Sequence, residues 1–289
     1  MTSPTTPPTI RRGYASTSLG QVHYRELAGP PIGSTLDEEC EALLLLHQTA
    51  DSSTQFLELM AELAGQVRAI AADTPGYGDS DRIPATAEPP SVADYARAMS
   101  ELLTALDMKR VAVLGTHTGA AIALELAASK PELVKRLVLS GLPDYEASER
   151  SAKIAAAASS PPLDATGAHL HTAWERAAEP MWGRSDLTQI TRSAVDSVRA
   201  LPDRHYGPLA VFHFEGRPRI PLVNAPTLLL YGERDPFAIR QPTLAALFGN
   251  GRAEQMAGAG ASPMQHRPAE FARRLTAFLD ASEEEAGTA

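Results

Sequence analysis

Cysteine is almost absent: Cys40 is the one thiol in 289 residues, so neither an intrachain disulfide nor a cysteine-based metal cluster can form. Long apolar runs are missing as well. No stretch approaches the roughly 18 consecutive apolar residues of a membrane span, so the membrane is not an expected partner. Positive charge is concentrated nowhere. Lys plus Arg number 26 against 35 Asp plus Glu, for a net charge of −9, and no basic stripe exists to follow a phosphate backbone. Nucleic acid is therefore not an expected partner either. The start, Met1 to Pro8, is rich in threonine and proline and lacks the charged region and apolar core of a leader. With a single cysteine suited to a reducing compartment, a soluble, cytoplasmic protein is expected.

What is present is an alternation. Short continuous apolar runs, Ala42 to Leu46, Val67 to Ala72, Val111 to Leu114, Leu137 to Leu139 and Thr227 to Tyr231, suit strands buried on both faces. Amphipathic stretches with helical spacing separate them: Phe56 to Leu63, Tyr95 to Leu106, Ala120 to Ala128 and Phe271 to Leu279. Such a rhythm predicts an α/β fold with a mostly parallel sheet flanked by helices. Tyr14 to Ser18 and Gln21 to Arg25, around Gly20, predict an opening hairpin. The rhythm breaks between Pro143 and Pro221, where Ile154 to Ala158 and His171 to Met181 read as helices without strands. The expected organisation is a frayed start over 1–12, a core made of 13–142 and 222–280, a helical cap over 143–221, and an acidic tail over 281–289.

The chemistry-bearing feature follows the third apolar run. Gly115-Thr116-His117-Thr118-Gly119 has the form of a Gly-x-Ser-x-Gly strand-to-helix turn, with histidine where serine is expected. An imidazole moves protons well near neutral pH, whereas an acyl-imidazole would itself hydrolyse readily. Proton transfer is favoured over serine-type ester hydrolysis.

With Leu43 to Gln48, Asp73 to Ser80, Leu137 to Gly141, Leu230 to Pro236 and Gly258 to Pro263, this turn makes the chain, from about Tyr14 to Leu279, resemble the α/β-hydrolase superfamily. The likeness is to the cap-bearing branch that includes proline iminopeptidases and epoxide hydrolases. The resemblance places a triad at His117, Asp235 and Ala261. The acid is kept, the nucleophile is a histidine, and the base position holds alanine, so a serine–histidine relay cannot be assembled. The vacated volume at Ala261 invites a His117 to Asp235 contact. The resemblance also implies oxyanion donors at the backbone amides of Gln48 and Thr118, with His47 beside them at the pocket. Gly76-Tyr77-Gly78 lacks the lysine of a phosphate loop and reads as structural, while His266 reads as a surface histidine before the last helix.

Among atypical members, the missing base histidine is similar to the triad-deficient group containing peptide epimerases of bottromycin-type pathways. This implies cofactor-free, metal-free proton transfer, of epimerase, isomerase or lyase type, on a small molecule or modified peptide. Hydrolysis of an ester or amide through His117, and ligand binding without turnover, are the alternatives.

Overall fold

The computed structural model describes residues 9–30, 42–84, 88–157, 163–184 and 186–281. The chain opens with an antiparallel hairpin of β1 (Ile10–Thr17) and β2 (Gly20–Leu27), in which Tyr14 lies opposite His23. The expectation of a frayed start over 1–12 is corrected here. Ile10, Arg11 and Arg12 pair with Leu27, Glu26 and Arg25, so the ladder holds their backbone groups; residues 1–8 lie outside the described ones.

Alternation then sets in: β3 (Ala42–Leu46), α1 (Leu57–Glu62), β4 (Ala69–Ala72), α2 (Val92–Ala105), β5 (Val111–Thr116), α3 (Thr118–Ser129) and β6 (Val134–Ser140). Ser91 and Asp94 form a reciprocal capping box that starts α2. The all-leucine stretch of β3 is buried on both sides because alternate residues serve two cores. Leu44 and Leu46 pack on the α2 and α3 side, and Leu43 and Leu45 on the opposite side. Each fully buried leucine contributes about 1.5–3 kcal/mol.

Between β6 and β7 the described chain forms helices only: α4 (Ala147–Ala156), α5 (Ala168–Ala177), α6 (Leu187–Arg199) and α7 (Tyr206–His213). The first begins earlier than the predicted Ile154 to Ala158, whose last residue lies outside the described ones. Ion pairs tie this insertion to the body, including Arg219 with Glu125 and Arg192 with Glu58. The sheet resumes with β7 (Thr227–Gly232), followed by α8 (Gln241–Ala245), β8 (Gly251–Met256), α9 (Pro263–His266) and α10 (Pro268–Asp280). Strand order is β1-β2-β4-β3-β5-β6-β7-β8, parallel from β4 onward. Parallel order brings the carboxyl ends of β3, β5, β6 and β7 to one edge, where α/β sheets build their sites. Of the expected tail, Ala281 packs on the core and accepts a hydrogen bond from Arg136; 282–289 lie outside the described residues.

Candidate active site

β5 ends at Thr116 and α3 begins at Thr118, so the chain reverses on His117 alone. Its backbone sits at φ 47°, ψ −109°, a region that costs a residue with a side chain about 1–3 kcal/mol. Flanking glycines make the turn possible. A Cβ on Gly119 would run into the Leu46 and His47 carbonyls, and one on Gly115 into the Gly119 carbonyl. The His117 amide donates to the Ser140 carbonyl at 2.9 Å, which ties the turn to the end of β6.

The ring reaches over the strand ends toward two acceptors. Nε2 lies 3.1 Å from Asp235 Oδ2 and 3.3 Å from the Ala261 carbonyl. The carbonyl lies along the N–H direction, while the nearer carboxylate oxygen sits off that axis and accepts no well-aligned hydrogen bond. A carbonyl can only accept, so Nε2 carries the hydrogen and Nδ1 keeps a lone pair. No described residue bonds to Nδ1. Asp235 is aimed by the Phe237 amide, which donates to Oδ1 at 2.8 Å, and its side chain is fully buried.

Burial acts against a charged ring, but the Asp235 carboxylate and the Ala261 carbonyl outweigh burial and the opposing charge of Arg184. Together they raise the His117 pKa above its ordinary 6.5. The edges of Trp182 and Phe237 flank the ring at centroid distances of 5.7 and 5.9 Å. They leave the histidine side chain 12% exposed, so only a small part of the ring is open to a reactant.

The contact between residues 117 and 235 is therefore direct, with the base position's backbone carbonyl, rather than a side chain, accepting the hydrogen bond. The oxyanion expectation fares differently. The Gln48 amide donates to Gln55 Oε1 at 3.1 Å, and its side-chain amide donates to Asp51 at 2.8 Å. Both donors are turned away from the ring by the buried Gln55 and Asp51, so Gln48 is corrected to a loop-bracing residue. His47 is corrected as well. Its Nε2 accepts from the Thr74 amide at 2.9 Å and its Nδ1 donates to the Gln48 carbonyl at 2.8 Å, leaving no ring nitrogen for a substrate. Thr118 stays at the site: it opens α3, where first-turn amides lack intrahelical acceptors, and its hydroxyl accepts from Thr49 Oγ1 at 2.9 Å. His266 is half-buried rather than on the surface. Its Nδ1 accepts from the Gly260 amide at 3.1 Å, bracing the loop that carries Ala261.

Sequence reasoning missed the buried frame beneath this site. Arg184 donates to Asp51 at 2.6 Å and to Gln265 at 3.0 Å, linking the insertion, the loop after β3 and the segment before α10. No local pattern reveals a pair 133 residues apart. Among the described residues, His23, Asp73 and Asp79 bring possible metal-ligand atoms within 4.8 Å. Those groups already bond to one another's backbone or side chains and to Arg199, so the donor set is that of a braced loop.

Comparison with known proteins agrees with this architecture. An uncharacterized protein of Mycobacterium tuberculosis is 41% identical over 98 residues, which are 34% of this chain and only 28% of that protein's length. The serine hydrolase BPHL of Mus musculus is 28% identical over 204 residues, 68% of this chain and 64% of that one. The enol-lactonase from Burkholderia xenovorans LB400 superimposes with a TM-score of 0.72 at 18% identity, covering 93% of this chain and 100% of that one. The alpha/beta hydrolase fold profile matches residues 41–264, and the chain belongs to that family.

Proposed function

We propose that this protein is a hydrolase of an ester or lactone in which His117, oriented by Asp235, acts as general base on water. The observation that carries this reading is the unengaged Nδ1 of a ring whose Nε2–H faces the Ala261 carbonyl and the Asp235 carboxylate. Nδ1 takes a proton from water as the oxygen attacks the acyl carbon. The imidazolium that forms is stabilised by Asp235, and it returns the proton to the departing alkoxide. The tetrahedral oxyanion falls to the amide of Thr118, assisted by the positive end of α3. With Gln48 turned away, this is a weaker anion hole than two converging amides. The hydrolase name of the Mus musculus relative supports the reading.

The test is turnover of a panel of 4-nitrophenyl esters in ¹⁸O-labelled water. Label in the released acid together with silence of His117→Ala is the expected result; an acyl adduct trapped on His117 by rapid quench would replace base catalysis with nucleophilic attack. No ester turnover at all would overturn hydrolysis. A second reading is favoured by the near-closure of the ring under Trp182 and Phe237, because water exclusion suits proton transfer at a carbon beside a carbonyl. In that case the protein exchanges substrate hydrogen for deuterium in D₂O without releasing acid.

A further inference from the structure

A cavity of about 60 Å³ lies between the loop after β3 and the helical insertion, walled in part by Thr49, Asp51, Arg176, Trp182, Arg184 and Arg204. Its charges do not balance. Arg184 is neutralised by Asp51. Arg176 and Arg204 have no carboxylate within ion-pair distance among the described residues, although both are anchored through their backbones. The Arg176 carbonyl accepts from the Trp182 indole at 2.9 Å and the Arg204 carbonyl from the Tyr77 hydroxyl at 3.0 Å. Arg176, exposed at the rim, and the half-buried Arg204 thus bring a surplus of positive charge to one small space. Burial, and then the charge of Arg176, pull the Arg204 pKa below the usual guanidinium value. Without an anion this arrangement is destabilising; with one it becomes two forks on a common acceptor.

We propose that this cavity binds a carboxylate of the substrate. The inference rests on the acyl-hydrolase reading and deepens it by naming the substrate class as a carboxylate-bearing ester or lactone. The volume has room for one such group, since a single water needs about 10–15 Å³ on the same measure. The connection to the chemistry is Trp182, whose indole lines the cavity and stands edge-on to His117 at 5.7 Å. Thr49 adds a second link, because its hydroxyl bonds to Thr118, the residue after His117. A substrate anchored on Arg176 and Arg204 therefore projects its other end around the indole toward the ring.

The test uses the full chain with Trp174→Phe, leaving Trp182 as the sole tryptophan reporter of the two in the sequence. Succinate is titrated against neutral succinamide by fluorescence, with calorimetry as a check. Succinate is expected to saturate in the millimolar range or below and succinamide not to bind. Arg176→Gln and Arg204→Gln should each weaken succinate by about tenfold or more. Arg204→Gln should melt no lower than the parent without anion, which a structural arginine would not allow. Absence of succinate saturation, unchanged affinity in both variants, or equal binding of phosphate and chloride overturns the proposal. A kinetic arm separates the two readings. The ratio of kcat/KM for 4-nitrophenyl hydrogen succinate over 4-nitrophenyl butyrate should exceed one and fall about tenfold in Arg204→Gln. Succinate binding without turnover of either ester sinks hydrolysis and leaves the anion site standing; turnover without preference or binding does the reverse.

Discussion

Among the described residues two buried histidine–aspartate pairs stand out, and their differences show what separates a brace from a site. His23 Nδ1 meets Asp73 at 2.8 Å, and His117 Nε2 meets Asp235 at 3.1 Å. Asp73 also accepts from the backbone amides of Ser53 and Asp79, so its oxygens hold the loops after β3 and β4 together. These bonds overcome the cost of burial and press its pKa down to about 2. Asp235 accepts one backbone amide, and its second oxygen faces only the histidine. The backbone differs too: His23 lies in the regular ladder of β2, whereas His117 occupies a strained left-handed turn. His23 is 1% exposed, against 12% for the His117 side chain. A saturated carboxylate in relaxed backbone makes a brace. A histidine held in strain, with its unengaged nitrogen partly exposed, makes a base, whereas the unpartnered Nε2 of His23 is buried.

The largest expected effect breaks that contrast on the chemical side. His117→Ala should cost about 10²–10⁴-fold in turnover, with a smaller loss of stability than Asp73→Ala, because Asp235 loses the ring at 3.1 Å but keeps the Phe237 amide. Steady-state kinetics beside thermal unfolding checks both halves, and a collapse in stability would make His117 another brace. Asp73→Ala should do the opposite. Three donors lose their acceptor, for a loss of about 3–5 kcal/mol, readable by urea unfolding, with far less effect on kcat at permissive temperature. An intermediate effect comes from Gly141, whose Cβ would lie 2.5 Å from Asp235 Oδ2 and 2.7 Å from His117 Nε2, at φ +69°. Gly141→Ala should push the pair apart, costing about 1–3 kcal/mol and most of the activity. Retention of both would show that the pair tolerates separation.

Much of the parallel sheet could be read in advance because β3, β5 and β7 are continuous apolar runs, a pattern that only double-sided burial explains. β8 was illegible. As an edge strand, Gly251–Met256 carries Arg252, Glu254 and Gln255, and its exposed positions show no apolar signal. The 117–235 pairing was legible because the turn and the acid sit in ordered motifs, with alanine at 261 vacating the space between. The Ala261 carbonyl as hydrogen-bond acceptor was not, since backbone direction leaves no mark in residue identity. Gln48 misled for a related reason: which way its amide points is decided by Gln55, a neighbour across a turn. The charge surplus around Arg176 and Arg204 needs the folded insertion to become visible, because both residues sit in ordinary mixed-charge sequence.

The smallest and most diagnostic effect concerns pH, where the pairs act in opposite directions. A carboxylate with a depressed pKa contributes stability that is present above its unfolded value and lost as pH falls through about 2, so Asp73 weakens the fold only in acid. The raised His117 pKa works the other way. Its pairing energy is fully present below the ordinary imidazole value and is lost as pH rises through the folded value. Loss of that proton is what exposes the Nδ1 base, so kcat/KM should climb over the same interval in which the pair stops stabilising the fold. In Asp235→Asn the carboxylate charge is gone, and burial and Arg184 remain to disfavour the imidazolium. The rising limb of the pH–rate profile should therefore move to lower pH, while the Asp73-dependent acid limb of stability stays in place. A limb that does not move would mean that Asp235 orients the ring without setting its charge, and the pair would then differ from His23–Asp73 by exposure, backbone strain and carboxylate saturation, not by electrostatics.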